Sequence, residues 1–118
     1  MTIFLSHRGE SDDAPENTLR AFSLAMERDS DGIELDIRLT ADGDVVCVHD
    51  ETLERVAGVK LAVADASLAE LRNHYPVPLL SEALALLRPG KHMQIELKGV
   101  QPLARPLKQV LEQWGGDR

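Results

Sequence analysis

The stretch IELDIRL, residues 33–39, decides the fold and raises the first question about function. Successive side chains of a β-strand point to opposite faces, so strict alternation divides this stretch into two faces. The aliphatic face consists of Ile33, Leu35, Ile37 and Leu39. The other face carries Glu34, Asp36 and Arg38. Such a strand buries its aliphatic side in a core, and its charged side then needs partners or a function.

The length and charge of the chain bound the class of protein. A chain of 118 residues with 43% hydrophobic content has the size and core of one soluble domain, so we expect residues 1–118 to form a single domain. The net charge of −7 and the pI near 5.0 argue against non-specific binding to nucleic acid. No run approaches the roughly 18 apolar residues of a membrane span, and no signal-peptide pattern is present, so we expect a cytoplasmic location.

Apolar periodicity predicts strands that alternate with helices. The predicted strands are 2–6, 32–39, 44–49 and 92–99. The predicted helices are 15–29, 67–74, 80–90 and 101–116, with 50–60 as a loop. The last helix should pack one apolar face, which consists of Leu103, Leu107, Val110, Leu111 and Trp114. Strands and helices in alternation predict an α/β fold with a largely parallel sheet.

The second and third strands are joined by a short connection. Only eight residues separate Asp36 from Val45, which is too few for a crossover that contains a helix. The Asp42-Gly43 pair indicates a turn, so the connection is either a hairpin or an irregular excursion. Either alternative should bring Asp36 close to His49.

Three carboxylates share the charged faces of two predicted strands. The fourth strand presents Glu96 and Lys98 on one side, as the second presents Glu34 and Asp36. Glu34, Asp36 and Glu96 form a hard oxygen-donor set that suits Mg²⁺ or Ca²⁺ rather than Zn²⁺. The alternative is a structural network in which Arg38 and Lys98 pair with the three acids, and the residue pattern leaves both open.

Two histidines end predicted strands. His7 ends the first strand and His49 ends the third. Catalytic groups of parallel α/β proteins collect where strands end at their C-termini. A pair of imidazoles beside a carboxylate cluster therefore favours acid–base chemistry.

Six blocks of this sequence resemble the glycerophosphodiester phosphodiesterase family. They are HRG (7–9), PENT (15–18), ELD (34–36), LTADG (39–43), HDETLERV (49–56) and IELK (95–98). The resemblance implies a (β/α)8 barrel that hydrolyses glycerophosphodiesters to glycerol 3-phosphate and an alcohol. It implies either water or the neighbouring glycerol hydroxyl as the nucleophile.

The resemblance also implies a role for each matching residue. By this resemblance, the acid–base pair is His7 and His49, and the metal ligands are Glu34, Asp36 and Glu96. The phosphate-binding pair is Arg8 and Lys98, and the supporting pair is Glu16 and Asn17. A divalent metal, Mg²⁺ or Ca²⁺, is the implied cofactor.

The chain departs from the family in its length. A (β/α)8 barrel takes about 250 residues and eight strands, whereas the four strands predicted here correspond to the first half of the barrel. We therefore expect a partial barrel whose open sheet edges favour self-association into a homodimer or larger assembly. A truncated chain, or a piece of a longer protein, would also account for the short length. An alternative function is a half-barrel module that binds metal or phosphate without turnover.

Overall fold

The computed structural model describes residues 5–9, 14–28, 31–99 and 102–116. The strands in these ranges are β1 (Leu5–His7), β2 (Gly32–Leu39), β3 (Val45–Cys47) and β4 (His92–Leu97). The helices are α1 (Leu19–Glu27), α2 (Glu54–Ala57), α3 (Leu68–Arg72), α4 (Leu80–Ala85) and α5 (Ala104–Gly116), with a 3₁₀ turn at Val63–Asp65. None of the described helices has the length and apolar character needed to cross a membrane.

β2 is the centre of the sheet. β1 and β4 both pair with it in parallel. They lie on opposite edges of β2, because Glu34 is the register partner of both His7 and Gln94. β3 runs antiparallel to β2 and continues the edge used by β1, since β4 occupies the opposite edge as far as Ile37. The predicted α/β sheet with mostly parallel pairing is confirmed.

The connection between β2 and β3 is a hairpin. The Thr40 backbone N–H donates to the Asp44 carbonyl oxygen at 3.0 Å and closes the turn. Beyond β3, the Val48 N–H donates to the Asp36 carbonyl oxygen at 3.0 Å. This bond returns the chain to Asp36 one residue before His49, as the short connection predicted.

The aliphatic face of β2 lies in the larger of the two hydrophobic clusters found among the described residues. Ile33, Leu35 and Ile37 are fully buried there, packed with residues of α1, α4 and α5. β3 contributes to both clusters: Val45 and Cys47 belong to the larger one, and Val46 belongs to the smaller one, as does Val48 directly after the strand. Alternate residues of one strand therefore join the two clusters.

The start of α1 differs from the prediction. The helix begins at Leu19 rather than near residue 15, and Thr18 is its N-cap. The Thr18 hydroxyl accepts from the Ala21 N–H at 3.2 Å and donates to the Pro15 carbonyl at 2.7 Å. Asn17 has φ 49°, in the left-handed region, so it cannot continue a right-handed helix.

Other boundaries also differ. The predicted loop at 50–60 contains α2, and α4 ends at Ala85, before the predicted stop at Pro89-Gly90. Leu111 of α5 was predicted to pack but is 36% exposed. β1 is Leu5–His7, and residues 2–4 of the predicted first strand lie outside the described residues.

Candidate active site

The three predicted metal ligands lie together. Asp36 of β2 and Glu96 of β4 are direct register partners, and Glu34 lies two residues before Asp36 on the same face. One carboxylate oxygen from each residue lies within 4.8 Å of the other two. Two oxygens bound to a single Ca²⁺ at about 2.4 Å can be at most about 4.8 Å apart, so these oxygens are close enough to share one ion.

Burial makes this cluster electrostatically costly. Glu34 is 7% and Asp36 is 1% exposed. Burial first, and then the charges of Asp36 and Glu96, raise the pKa of Glu34 to about 7. Within the part of the chain that the structure describes, Asp36 Oδ1 is buried and accepts no hydrogen bond. A divalent cation would satisfy this oxygen and offset the repulsion, so the donor set fits the predicted metal.

Two basic side chains, Arg8 and Lys98, lie beside the acids, but Arg38 does not pair with them. Arg8 Nε lies 3.5 Å from Asp36 Oδ2, and Lys98 Nζ lies 3.3 Å from Glu96 Oε2. Arg38 instead donates from Nε and Nη2 to the His49 carbonyl oxygen, at 3.1 and 2.7 Å. The ion-pair network considered from the sequence is therefore present only in part.

Two residues in left-handed backbone conformations hold the loops at this site. Arg8 has φ 55° and Asn17 has φ 49°. The Arg8 N–H donates to the Glu34 carbonyl oxygen at 2.6 Å, and the Asn17 N–H donates to the Arg8 carbonyl oxygen at 2.9 Å. Asn17 Nδ2 also donates to Asp36 Oδ2 at 3.2 Å. Non-glycine residues in this region are uncommon and concentrate at functional sites, where surrounding contacts hold them.

The two predicted catalytic histidines are described to different extents. His49 Nδ1 lies 2.7 Å from Asp50 Oδ1, and the side chain is partly buried. The His7 backbone pairs with Glu34 at the end of β1, but its side chain lies outside the described residues.

Three residues of the site were missed by sequence reasoning. Arg55 donates from Nη1 and Nη2 to both carboxylate oxygens of Glu16, at 2.6 and 2.8 Å, and from Nε to Asp50 at 2.8 Å. The Tyr75 hydroxyl donates to the Glu16 carbonyl oxygen at 2.7 Å. Asp50 and Arg55 lie in the HDETLERV block, which could have indicated them. Tyr75 has no such signal, because its contact spans 59 positions in sequence.

Comparison with known proteins decides the family. A family model described as the glycerophosphoryl diester phosphodiesterase family matches residues 7–114. The chain belongs to this family. A glycerophosphodiester phosphodiesterase of Bacillus altitudinis is 39% identical where the two align, and the match covers 83% of this chain and 46% of that protein.

Solved structures of this family place the fold. A glycerophosphodiester phosphodiesterase from Thermotoga maritima matches 100% of this chain and 51% of its own, with a TM-score of 0.82 and 34% identity. A phosphodiesterase from Oleispira antarctica, solved in complex with the product sn-glycerol-3-phosphate, matches 97% of this chain and 51% of its own, with a TM-score of 0.82 and 28% identity. The fold is that of a partial (β/α)8 barrel, and the chain spans about half the length of these relatives.

Proposed function

We propose that this chain carries the metal site and acid–base residues of a glycerophosphodiester phosphodiesterase. The reaction is the hydrolysis of a glycerophosphodiester to glycerol 3-phosphate and an alcohol. The observation that carries the proposal is the cluster of the buried Glu34 and Asp36 with the partly buried Glu96, whose three carboxylate oxygens lie within 4.8 Å of one another. The Oleispira antarctica relative binds the same product in its solved structure.

In this proposal the three acids hold Mg²⁺ or Ca²⁺. Carboxylate oxygens are the usual ligands of both ions, and the set contains neither the nitrogen nor the sulfur that Zn²⁺ favours. When bound, a divalent ion supplies positive charge at the phosphoryl oxygens, where negative charge grows in the transition state. We propose Arg8 and Lys98 as the phosphate-binding pair, since each already lies beside one of the acids.

His7 and His49 are proposed as the proton-transfer groups. One imidazole removes a proton from the nucleophile as its oxygen forms a bond to phosphorus. The other imidazole donates a proton to the alcohol oxygen as its bond to phosphorus breaks. General acid–base catalysis of this kind contributes about 10²–10⁴-fold to the rate. Glu16 and Asn17 support the site, because Glu16 contacts Arg8 and Asn17 contacts Asp36.

The test is release of glycerol 3-phosphate from glycerophosphocholine, with and without EDTA. We expect turnover that needs a divalent ion and that falls at least about 100-fold in His49→Gln, because this substitution removes a proton-transfer group. The matched control is His74→Gln, since His74 is exposed and lies outside the site. Turnover that is indifferent to EDTA, or equal in the two variants, would contradict the proposal.

A module without turnover is the second candidate. It is favoured by the open side of the sheet, where Leu97 of β4 is 49% exposed. In this case calorimetric titration would show Mg²⁺ or Ca²⁺ binding that is weakened in Glu96→Gln and unchanged in the exposed control Glu112→Gln, while glycerophosphocholine remains intact.

Self-association is proposed from the same open side. Leu97 and Leu111 are the large hydrophobic residues that remain exposed among the described residues. Sedimentation equilibrium should give the mass of a homodimer or larger assembly that decreases in Leu97→Ser. A monomer at all concentrations would exclude this part of the proposal.

A further inference from the structure

We infer that Asp50 and Arg55 are positioning residues that select the tautomer of His49 and fix its ring. The inference rests on the proposed role of His49 as a proton-transfer group. It goes beyond that role because it names the groups that determine which ring nitrogen is available for proton transfer. The contacts of three side chains carry the argument.

The first contact sets the hydrogen on the His49 ring. Asp50 Oδ1 lies 2.7 Å from His49 Nδ1, which is a short hydrogen-bond distance. Hydrogen bonds from Arg55 and then His49 lower the pKa of Asp50 to about 2, so this carboxylate is ionised at neutral pH. An ionised carboxylate only accepts hydrogen bonds, and Nδ1 must therefore carry the hydrogen. The neutral ring then presents the lone pair of Nε2.

The second contact holds Asp50 in place. Arg55 Nε donates to Asp50 Oδ2 at 2.8 Å, while its two terminal nitrogens donate to both carboxylate oxygens of Glu16. The Arg55 side chain is 50% exposed, and exposed ion pairs add little to stability. Its planar fork nevertheless fixes two carboxylates in one orientation. This arrangement therefore affects the orientation of the imidazole more than it affects the stability of the fold.

The other end of the arrangement reaches the carboxylate cluster. Glu16 accepts from Arg8 Nη1 at 3.2 Å, and Arg8 Nε lies 3.5 Å from Asp36. A continuous series of alternating charges thus runs from Asp36 to His49. Arg38 holds the His49 carbonyl oxygen at 2.7 Å, so the residue is held at both its backbone and its ring. These contacts couple the position of the imidazole to the position of the proposed metal site.

The experiment reads the His49 tautomer by two-bond ¹H–¹⁵N correlation spectra of the full chain at about pH 9, where ordinary imidazoles with pKa near 6.5 are neutral. His49→Gln assigns the signals by their absence. We expect the Nδ1–H form to predominate in the wild type. Asp50→Ala should increase the Nε2–H to Nδ1–H ratio several-fold, and Arg55→Met should increase it by a smaller factor.

Matched controls separate positioning from general effects of substitution. Asp65→Ala removes an exposed aspartate outside this arrangement, and Arg72→Met removes an arginine that pairs with Glu82 at 2.6 Å. Both controls should keep the wild-type tautomer ratio. A wild type that is mainly Nε2–H would overturn the inference whether or not any variant folds. A ratio unchanged in folded Asp50→Ala would also overturn it.

Turnover distinguishes this inference from the proposed function. The tautomer can be measured without substrate, so a chain without turnover but with the expected spectra would contradict the function and support the positioning role. If the wild type is active, Asp50→Ala should lower kcat about 10- to 100-fold, part of the 10²–10⁴-fold that acid–base catalysis contributes, and change KM less than about threefold. An equal kcat in Asp50→Ala and Asp65→Ala would count against the inference.

Discussion

β2 and β4 share one alternating pattern but differ in burial. Both strands alternate apolar and polar residues, and they pair in register through Asp36 and Glu96. Asp36 is 1% exposed and has two polar neighbours, Asn17 and Arg8. The Glu96 side chain is 42% exposed and pairs with Lys98. Alternation therefore determines the face on which a side chain lies, whereas the neighbouring elements determine how buried it is and how many contacts hold it.

The largest difference should appear when one leucine of each strand is truncated. Leu35 of β2 is fully buried, and Leu97 of β4 is 49% exposed. We expect Leu35→Ala to lower the free energy of unfolding by about 2–5 kcal/mol because it leaves a cavity. Leu97→Ala should cost less than about 1 kcal/mol. Urea unfolding of both variants measures the difference, and equal losses would show that the two strands are equally packed.

Substitution of a metal ligand should also weaken metal binding more in β2 than in β4. Asp36→Asn alters a buried ligand whose position is fixed by Asn17, so we expect roughly a 100-fold loss of Mg²⁺ or Ca²⁺ affinity. Glu96→Gln alters a more exposed ligand, so we expect roughly a 10-fold loss. Loss of a group that only supports a ligand typically costs 10–100-fold in metal affinity, so these values are lower estimates for the loss of direct ligands. Calorimetric titration of both variants is the measurement, and a larger loss in Glu96→Gln would reverse the assignment.

Ionisation of Glu34 in β2 should make the free energy of unfolding depend on pH. Burial raises the pKa of Glu34 from 4.5 to about 7 in the folded chain. A raised folded-state pKa gives stability that is fully present below the unfolded pKa and is lost as the pH rises through the folded pKa. In EDTA, the free energy of unfolding should therefore fall between about pH 5 and pH 8, by roughly 1–3 kcal/mol.

The control for this pH effect is Glu34→Gln, which should flatten the curve over the same interval. Saturating Ca²⁺ should also reduce the fall, because a bound cation favours the ionised carboxylate. A wild-type curve in EDTA that rises over this interval would contradict the raised pKa.

The smallest effect should come from helix caps near and far from the site. Thr18 caps α1 beside the carboxylate cluster, and Ser67 caps α3 away from it. Thr18→Ala and Ser67→Ala should each cost about 0.5–2 kcal/mol of unfolding free energy. Only Thr18→Ala should also weaken metal binding, because Thr18 follows Asn17 directly. Equal metal affinity in both variants would separate the cap from the site.

The sequence predicted the parts of the site that depend on strand parity. Alternation in β2 and β4 places Glu34, Asp36 and Glu96 on one face, and the parallel register brings them together. The capping box of Ser67 and Glu70, which are three positions apart, is a second feature of this kind. Both features follow from local periodicity, which a single sequence reveals.

The parts that could not be predicted depend on tertiary contacts. The left-handed conformation of Asn17 delays the start of α1, and the contacts that hold it come from Arg8 and Asp36. The Arg55 fork joins residues 39 positions apart, which no periodicity indicates. Leu111 lies at helical spacing with the partly buried Leu107 and Trp114, but its exposure depends on which elements cover α5.

The central claim is that Glu34, Asp36 and Glu96 share one divalent cation. The most direct measurement is a titration of Mn²⁺ into ¹⁵N-labelled chain, because oxygen sites that suit Mg²⁺ or Ca²⁺ also accept Mn²⁺ and its unpaired electrons broaden nearby amide signals. We expect saturable broadening centred on Glu34–Asp36 and on Glu96, and we expect it to disappear in Asp36→Asn. Broadening spread over the acidic surface, or none at these strands, would contradict a shared cation site.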